Sequence, residues 1–259
     1  MALYINYDNL LSKVRQIAKT AEYGDCIAVF DLDDTLIIGD IGEALFAQLK
    51  KEGFDIPFTW KEYRELINSG RPGEAYISMC SCMEGISTSY LKSTVNSILD
   101  TDENFISFYE ENETINVLVP KPSPMMKSIA DILRAYNCDL YVISSSHSIA
   151  VTIVAGRYFK IDPSHVFGVK NREEETGDTT FLTSEILEPI PVREGKALVY
   201  FSKIGSERPY LVFGDSANDT WLFNLAKPEG MAVYLGNDRY KFEQIAKTLD
   251  NSDNFYCLF

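Results

Sequence analysis

The sequence predicts an α/β fold: a doubly wound parallel sheet with helices on both faces and a smaller helical unit inserted into it. Three observations predict it. Short apolar runs at Cys26-Ile27-Ala28-Val29-Phe30, Leu140-Tyr141-Val142-Ile143 and Leu211-Val212-Phe213 read as strands buried on both faces, the pattern of a parallel sheet. Each run ends in a polar cluster: Asp31-Leu32-Asp33-Asp34-Thr35, Ser144-Ser145-Ser146-His147 and Gly214-Asp215-Ser216-Ala217-Asn218-Asp219. Open α/β sheets bind their ligands beyond the carboxyl ends of their strands. Helix-period stretches separate the runs, the alternation that builds a Rossmann-like core.

Taken in order, residues 7–22 set Leu10, Leu11, Val14, Ile17, Ala18 and Ala21 on one helical face behind a cap at Asp8 or Asn9. The first strand and its acidic loop follow, and then a capped helix over 39–49. Between 40 and 117 no strand signal stands out. Helices are predicted near 59–68, 73–83, 88–99 and 101–111, punctuated by Gly53, Pro57, Gly70-Arg71-Pro72-Gly73 and Gly85. The predicted division is therefore a core made of residues 1–39 and 118–259 and a helical insertion at 40–117, with 118–122 as the return hinge. An amphipathic helix over 123–136 leads to the second strand, and another over 149–158 leaves it. Apolar 166–169 and 179–182, separated by the polar run 170–178, predict a hairpin. Gly195-Lys196 opens a further helix, Trp221, Leu222, Leu225 and Ala226 fit another, and 231–234 reads as a fourth core strand.

With 259 residues, 46% of them hydrophobic, the chain can bury a sizeable core. Its formal net charge of -14 argues against nucleic acid, for which a basic patch supplies most of the affinity, and against anionic membranes. A small anion is still admitted, because a metal, one lysine and backbone N–H groups can converge on it locally. The start, Met1-Ala2-Leu3-Tyr4-Ile5-Asn6, has no basic segment followed by an apolar one, and no run is long enough to span a bilayer. A cytoplasmic protein is expected. Cys26, Cys80, Cys82, Cys138 and Cys257 lack paired zinc spacing and are expected to be reduced thiols.

Asp31, Asp33 and Asp34 place three carboxylates within four residues, and their repulsion grows as a concave site lowers the effective dielectric. A divalent cation relieves it. A solvated acidic turn would have the same sequence. Taken singly, Ser144 is as readily a helix cap, Lys196 a solvated helix residue, and Asp215 and Asp219 turn and helix-start acids. Their arrival together at the ends of successive strands favours a site.

Asp31-x-Asp33-x-Thr35, Ser144, Lys196 and Gly-Asp-Ser-Ala-Asn-Asp at 214–219, in this order, resemble the haloacid dehalogenase (HAD) superfamily over residues 27 to about 235. The resemblance implies that Asp31 is the nucleophile, forming an aspartyl-phosphate, and that Asp33 protonates the leaving alkoxide and then deprotonates water. It implies Mg²⁺ held by Asp31, Asp215 and the main-chain carbonyl of Asp33, oxygen ligands that suit this hard cation. Ser144 and Lys196 would hold the phosphoryl oxygens, with Ser145, Asn218 and Asp219 in support. An acid two places after the nucleophile favours a phosphatase; transfer to a second alcohol, or a phosphate-binding regulatory protein with little turnover, is the alternative.

Residues 40–117 fill the slot of a helical cap that closes over the site and selects the leaving group. The length of that insertion, Ile143-Ser144 and Gly195-Lys196-Ala197 bring the chain nearest the phosphoserine-phosphatase-like branch, whose relatives include phosphocholine and phosphoethanolamine phosphatases. The implied partner is a small phosphorylated metabolite. Asp40 stands where phosphoserine phosphatases carry a Glu near the substrate amine, and Arg64 and Arg71 are both candidates to meet a substrate carboxylate. Trp60, Tyr63 and Tyr76 form either an aromatic site for a quaternary ammonium or part of the cap core. His147 is expected to cap a helix or line the entrance rather than act as a base.

Overall fold

Seven parallel strands form the central sheet of the computed structural model, which describes residues 3–21 and 26–258. In chain order the first half comprises β1 (Leu3–Ile5), α1 (Tyr7–Thr20), β2 (Ile27–Phe30), β3 (Ile37–Ile38), α2 (Ile41–Lys51), α3 (Trp60–Asn68), α4 (Pro72–Ser81), α5 (Thr88–Asp100), β4 (Phe105–Glu110), β5 (Glu113–Leu118), β6 (Lys121–Pro122) and α6 (Pro124–Ala135). The second half comprises β7 (Asp139–His147), α7 (Ser148–Phe159), β8 (Val166–Val169), β9 (Asn171–Thr176), β10 (Thr179–Ile186), α8 (Glu194–Lys203), β11 (Leu211–Gly214), α9 (Thr220–Phe223), β12 (Met231–Tyr234), α10 (Arg239–Thr248) and β13 (Phe255–Leu258).

The sheet order is β1-β13-β12-β11-β2-β7-β8, which sets β2 between β11 and β7. Side chains alternate across it. Ala28 and Phe30 of β2 enter one apolar cluster with Leu10 and Val14 of α1, Met126 and Ile129 of α6 and Val151 and Val154 of α7. Val29 enters the other, with Val199 of α8, Leu222 of α9 and Phe242 of α10. Both faces are thus covered, which is why the strands read as continuous apolar runs. The Phe30 and Phe213 rings stack at 5.0 Å between centroids and tie β2 to β11.

Helix α1 is capped earlier than predicted, at Asn6 rather than Asp8 or Asn9: Asn6 accepts from Asn9 N, while Asp8 sits in the first turn, where the helix dipole favours an acid. The predicted end at residue 22 lies outside the described residues. The cysteines also differ from expectation. Cys26 and Cys138 precede neighbouring parallel strands, their Cα atoms are 4.6 Å apart, and they form a disulfide; Cys80, Cys82 and Cys257 are free.

Between β3 and β6, which pair antiparallel, the chain makes four helices and a hairpin. Asp40 caps α2, Thr59 and Glu62 form a capping box on α3, Pro72 opens α4, and Ser87 caps α5. The helix predicted at 101–111 is absent, and the insertion is not helical throughout. Ile106 and Phe108 alternate with exposed neighbours, and Glu111 and Asn112 take positive φ values of 47° and 68°, so 105–118 folds as a two-residue hairpin, β4–β5.

The predicted hairpin is also corrected. Segment 166–169 is the edge strand β8, parallel to β7, while the polar run supplies β9, which pairs with β10 across Gly177-Asp178. Among the described residues no helix is long and apolar enough to cross a membrane.

Candidate active site

The carboxyl ends of β2, β7 and β11 meet at the centre of the sheet. Asp31 N donates to Phe213 O at 2.9 Å, holding the first residue after β2 against β11. The chain then makes one wide turn over Leu32–Leu36, with Asp33 extended and Asp34 left-handed at φ 51°. Aspartate tolerates that region because its carboxylate bonds locally: Asp34 Oδ1 accepts from Gly39 N at 2.9 Å, and Asp34 N donates to Gly39 O. Asp34 therefore shapes the loop.

Asp33 is anchored from two sides. Its Oδ1 accepts from Ile41 N, at the start of α2, at 2.8 Å; its Oδ2 accepts from Ser144 Oγ at 3.1 Å and Ser146 Oγ at 2.8 Å. Burial pushes this carboxyl upward, opposed by those three hydrogen bonds and by Lys196. It is thereby poised to carry a proton.

Lys196 Nζ lies 2.7 Å from Asp31 Oδ1 and 2.6 Å from Asp219 Oδ1, and its side chain is 2% exposed. Burial opposes its charge, but the two carboxylates outweigh that and hold it protonated above the ordinary lysine range. Two glycines permit this packing. A Cβ on Gly195 would lie 1.8 Å from Ile190 O, and one on Gly214 would lie 2.7 Å from the Asp219 side chain. Asp219 Oδ2 accepts from Asp215 N, Ser216 N and Ser216 Oγ, so this acid is spent on the loop and on Lys196.

Asp31, Asp33, Asp40, Tyr76, Ser145, Lys196, Asp215 and Asn218 line one cavity of about 100 Å³, joined there by Asp34, Ser146 and Ser216. Asp34 and Asp215 also line an adjoining cleft of about 810 Å³. Ser144 is fully buried behind the cavity, where its hydroxyl donates to Asp33 and accepts from Ser146 N. Ser145 donates to Pro191 O at 2.9 Å.

The predicted substrate residues divide. Asp40 and Tyr76 reach the cavity. Tyr63 stands behind them and donates to Glu43 Oε1 at 2.9 Å, with Arg64 3.6 Å from the same oxygen. Trp60 packs into an aromatic cluster with Phe46, Tyr63 and Phe108 and is part of the insertion's core. Arg71 is exposed and pairs with Glu74, away from the cavity. His147 caps α7 by accepting from Ile149 N, but is 1% exposed and lines no entrance. Sequence reasoning missed Glu43, Ser146 and Ser216. Glu43 has the one legible signal, an acid three residues after the cap of an otherwise apolar helix.

The cavity is short of positive charge. Burial, with Asp219 and Asp33 adding to it, raises Asp31 to about 7 although Lys196 pulls the other way. Burial and neighbouring acids push Asp215 and Asp40 well above the usual carboxylate range, and burial raises Glu43. Asp31, Asp215 and Asp219 each offer an oxygen within 4.8 Å of the others. With Asp219 occupied by Lys196 and the loop, Asp31 and Asp215 are the carboxylates open to a cation. An all-oxygen donor set with uncompensated charge fits Mg²⁺.

The fold is shared with several solved structures, at low sequence identity. No family model matches the sequence, and no curated protein matches it. Among solved structures, a protein of unknown function from Anaerococcus prevotii superposes with a TM-score of 0.65 at 16% identity, covering 98% of this chain and 92% of that one. A HAD family hydrolase from Salmonella enterica serovar Typhi gives a TM-score of 0.59 at 16% identity over 86% of this chain and 66% of its own. A substrate-bound phosphoserine phosphatase gives 0.55 at 13% identity over 92% and 94%. The chain has the fold of these proteins.

Proposed function

We propose that this chain is a phosphatase that hydrolyses a small phosphate monoester through a phosphorylated Asp31. The observation that carries the reading is the pairing of Asp31 with buried Lys196, beside an Asp33 that is tethered by Ile41, Ser144 and Ser146 and shifted toward its protonated form. Asp31 attacks phosphorus. Protonated Asp33 gives its proton to the departing alkoxide, and the resulting carboxylate then takes one from the water that opens the acyl phosphate, restoring both acids. Lys196, which lines the cavity beside Asp31, meets the phosphoryl oxygens. Mg²⁺, held by Asp31, Asp215 and the Asp33 carbonyl, supplies further charge neutralisation.

The leaving group we infer is an amino alcohol. The cavity lining includes Asp40 and Tyr76, with Glu43 and Tyr63 paired nearby, and Lys196 is the one cation in it. An ammonium group would answer Asp40; a substrate carboxylate finds no free arginine there. Phosphoethanolamine and phosphocholine are therefore favoured over phosphoserine. A phosphate-release screen across these esters and an aryl phosphate, with and without Mg²⁺, tests the reading. Release that depends on Mg²⁺ and is lost in a folded Asp31→Asn variant supports it; activity retained in that variant overturns it.

A further inference from the structure

The helices inserted after β3 are held by more than their two-stranded connection. Leu182, in β10, exchanges backbone hydrogen bonds with the turn between α4 and α5: Gly85 N donates to Leu182 O at 2.9 Å, and Leu182 N donates to Ile86 O at 3.0 Å. Ser81 Oγ donates to Ser184 O at 2.8 Å. The Leu182 side chain, 2% exposed, belongs to the same apolar cluster as Met79, Met83 and Ile86. The seam thus has backbone, side-chain and apolar components.

Asn171, at the foot of the hairpin, is 1% exposed and donates from one amide nitrogen to Cys80 O of α4 at 2.9 Å and to Thr183 O at 2.7 Å. Its Oδ1 and the Nε2 of His147 are both buried without a hydrogen-bond partner. Beyond the hairpin, the chain to Lys196 passes under α4. Pro191 O accepts from Ser145, and Val192 Cγ1 would be 2.9 Å from a Cβ on Gly73.

We propose that hairpin β9–β10 is part of the lid: it moves with α4 and α5 rather than with the sheet, and Asn171 ties the foot of the hairpin to α4 within that unit. Pulling α4 and α5 away alone would strand the buried backbone groups of Gly85, Leu182 and Ile86. Bending the chain at 170 and 187, where Leu187 N pairs with Lys170 O, strands none of them. Lid opening would then drag residues 187–193, relaxing the Ser145–Pro191 contact ahead of Lys196. The lid reading rests on the proposed function, but its test reads exchange rather than turnover, so loss of one leaves the other measurable.

Amide hydrogen exchange on the full chain tests it. The Leu187 amide, whose bond to Lys170 O the bend breaks, should exchange at least about tenfold faster than the Gly85 and Leu182 amides, whose bonds the moving unit keeps. Ser81→Ala, which weakens only the seam, should leave the Leu187 rate unchanged. Gly85 and Leu182 exchanging as fast as Leu187, or Leu187 matching the sheet amides of Phe30 and Val212, overturns the proposal.

Discussion

The hydroxyl of Ser146 lies 2.8 Å from Oδ2 of Asp33, the same oxygen that Ser144 reaches at 3.1 Å. Both bonds favour the ionised acid against the effect of burial. Ser146→Ala should therefore move the Asp33 pKa further upward and shift the alkaline limb of the kcat profile to higher pH, by about one pH unit for a bond of about 1.4 kcal/mol. A pH–rate profile of the variant checks this; an unshifted limb would separate Asp33 from the proton transfer.

Lys196→Met should unfold more easily as well as lose activity. It leaves Asp31 and Asp219 facing each other with no cation, and breaking a buried pair from one side costs about 3–5 kcal/mol. Urea titration measures the loss. The deficit should shrink at acid pH, as Asp31 becomes protonated.

Metal binding should depend on pH through Asp31, raised to about 7 chiefly by burial. Without metal, the native protein holds this proton more tightly than the unfolded chain does. The stabilisation is complete below the unfolded value of about 3.8 and fades as pH rises to about 7. Mg²⁺ competes with the proton, so its affinity should rise about tenfold per pH unit below 7 and level off above it. Calorimetric titration at several pH values tests this.

His147 has the opposite sign. Burial lowers its pKa to about 4, below the ordinary value of about 6.5. The unfolded chain then binds a proton that the native state refuses. Stability is intact above about pH 6.5 and falls as pH drops toward about 4, by on the order of 3 kcal/mol. A His147→Asn variant should lose this part of the acid sensitivity, read as a smaller drop in denaturation midpoint over that range.

Asp40→Asn should separate substrates. Turnover of phosphoethanolamine should suffer by about tenfold or more, the scale of one lost charge-assisted contact, while an aryl phosphate is little affected. Equal losses on both would remove Asp40 from leaving-group recognition and leave it as the cap of α2.

The strands bearing Asp31, Ser144 and Asp215 were legible because burial on both faces makes them uniformly apolar and because each stops at a polar cluster. The outer pieces were not. β1, on the sheet edge, is three residues long, and its neighbour β13 alternates buried with half-buried residues instead of forming a uniformly apolar run. Residues 101–111 read as a helix because their turn is Glu111-Asn112, without the glycine that signals a hairpin, and β9 escaped notice because Glu173, Glu174 and Glu175 face solvent. At the site, Asp31, Asp33, Lys196 and Asp215 converge as the resemblance implied. Trp60 and Arg71 do not, since an aromatic or arginine on a helix has the same sequence signature whether it faces a cavity, a core or water. The Cys26–Cys138 pairing was hidden because it depends on two strands 112 residues apart becoming neighbours.

The bond from Ile41 N to Asp33 Oδ1 gives the acid two offices under the proposed function, since the carboxylate proposed to handle the proton also tops the first helix of the insertion. An engineer exchanging this insertion for another would disturb chemistry before specificity if the graft began at Asp40. A junction placed after the first turn of α2, keeping Ile41 and Glu43 native, leaves the acid's tether whole and makes the rest of the insertion an interchangeable part.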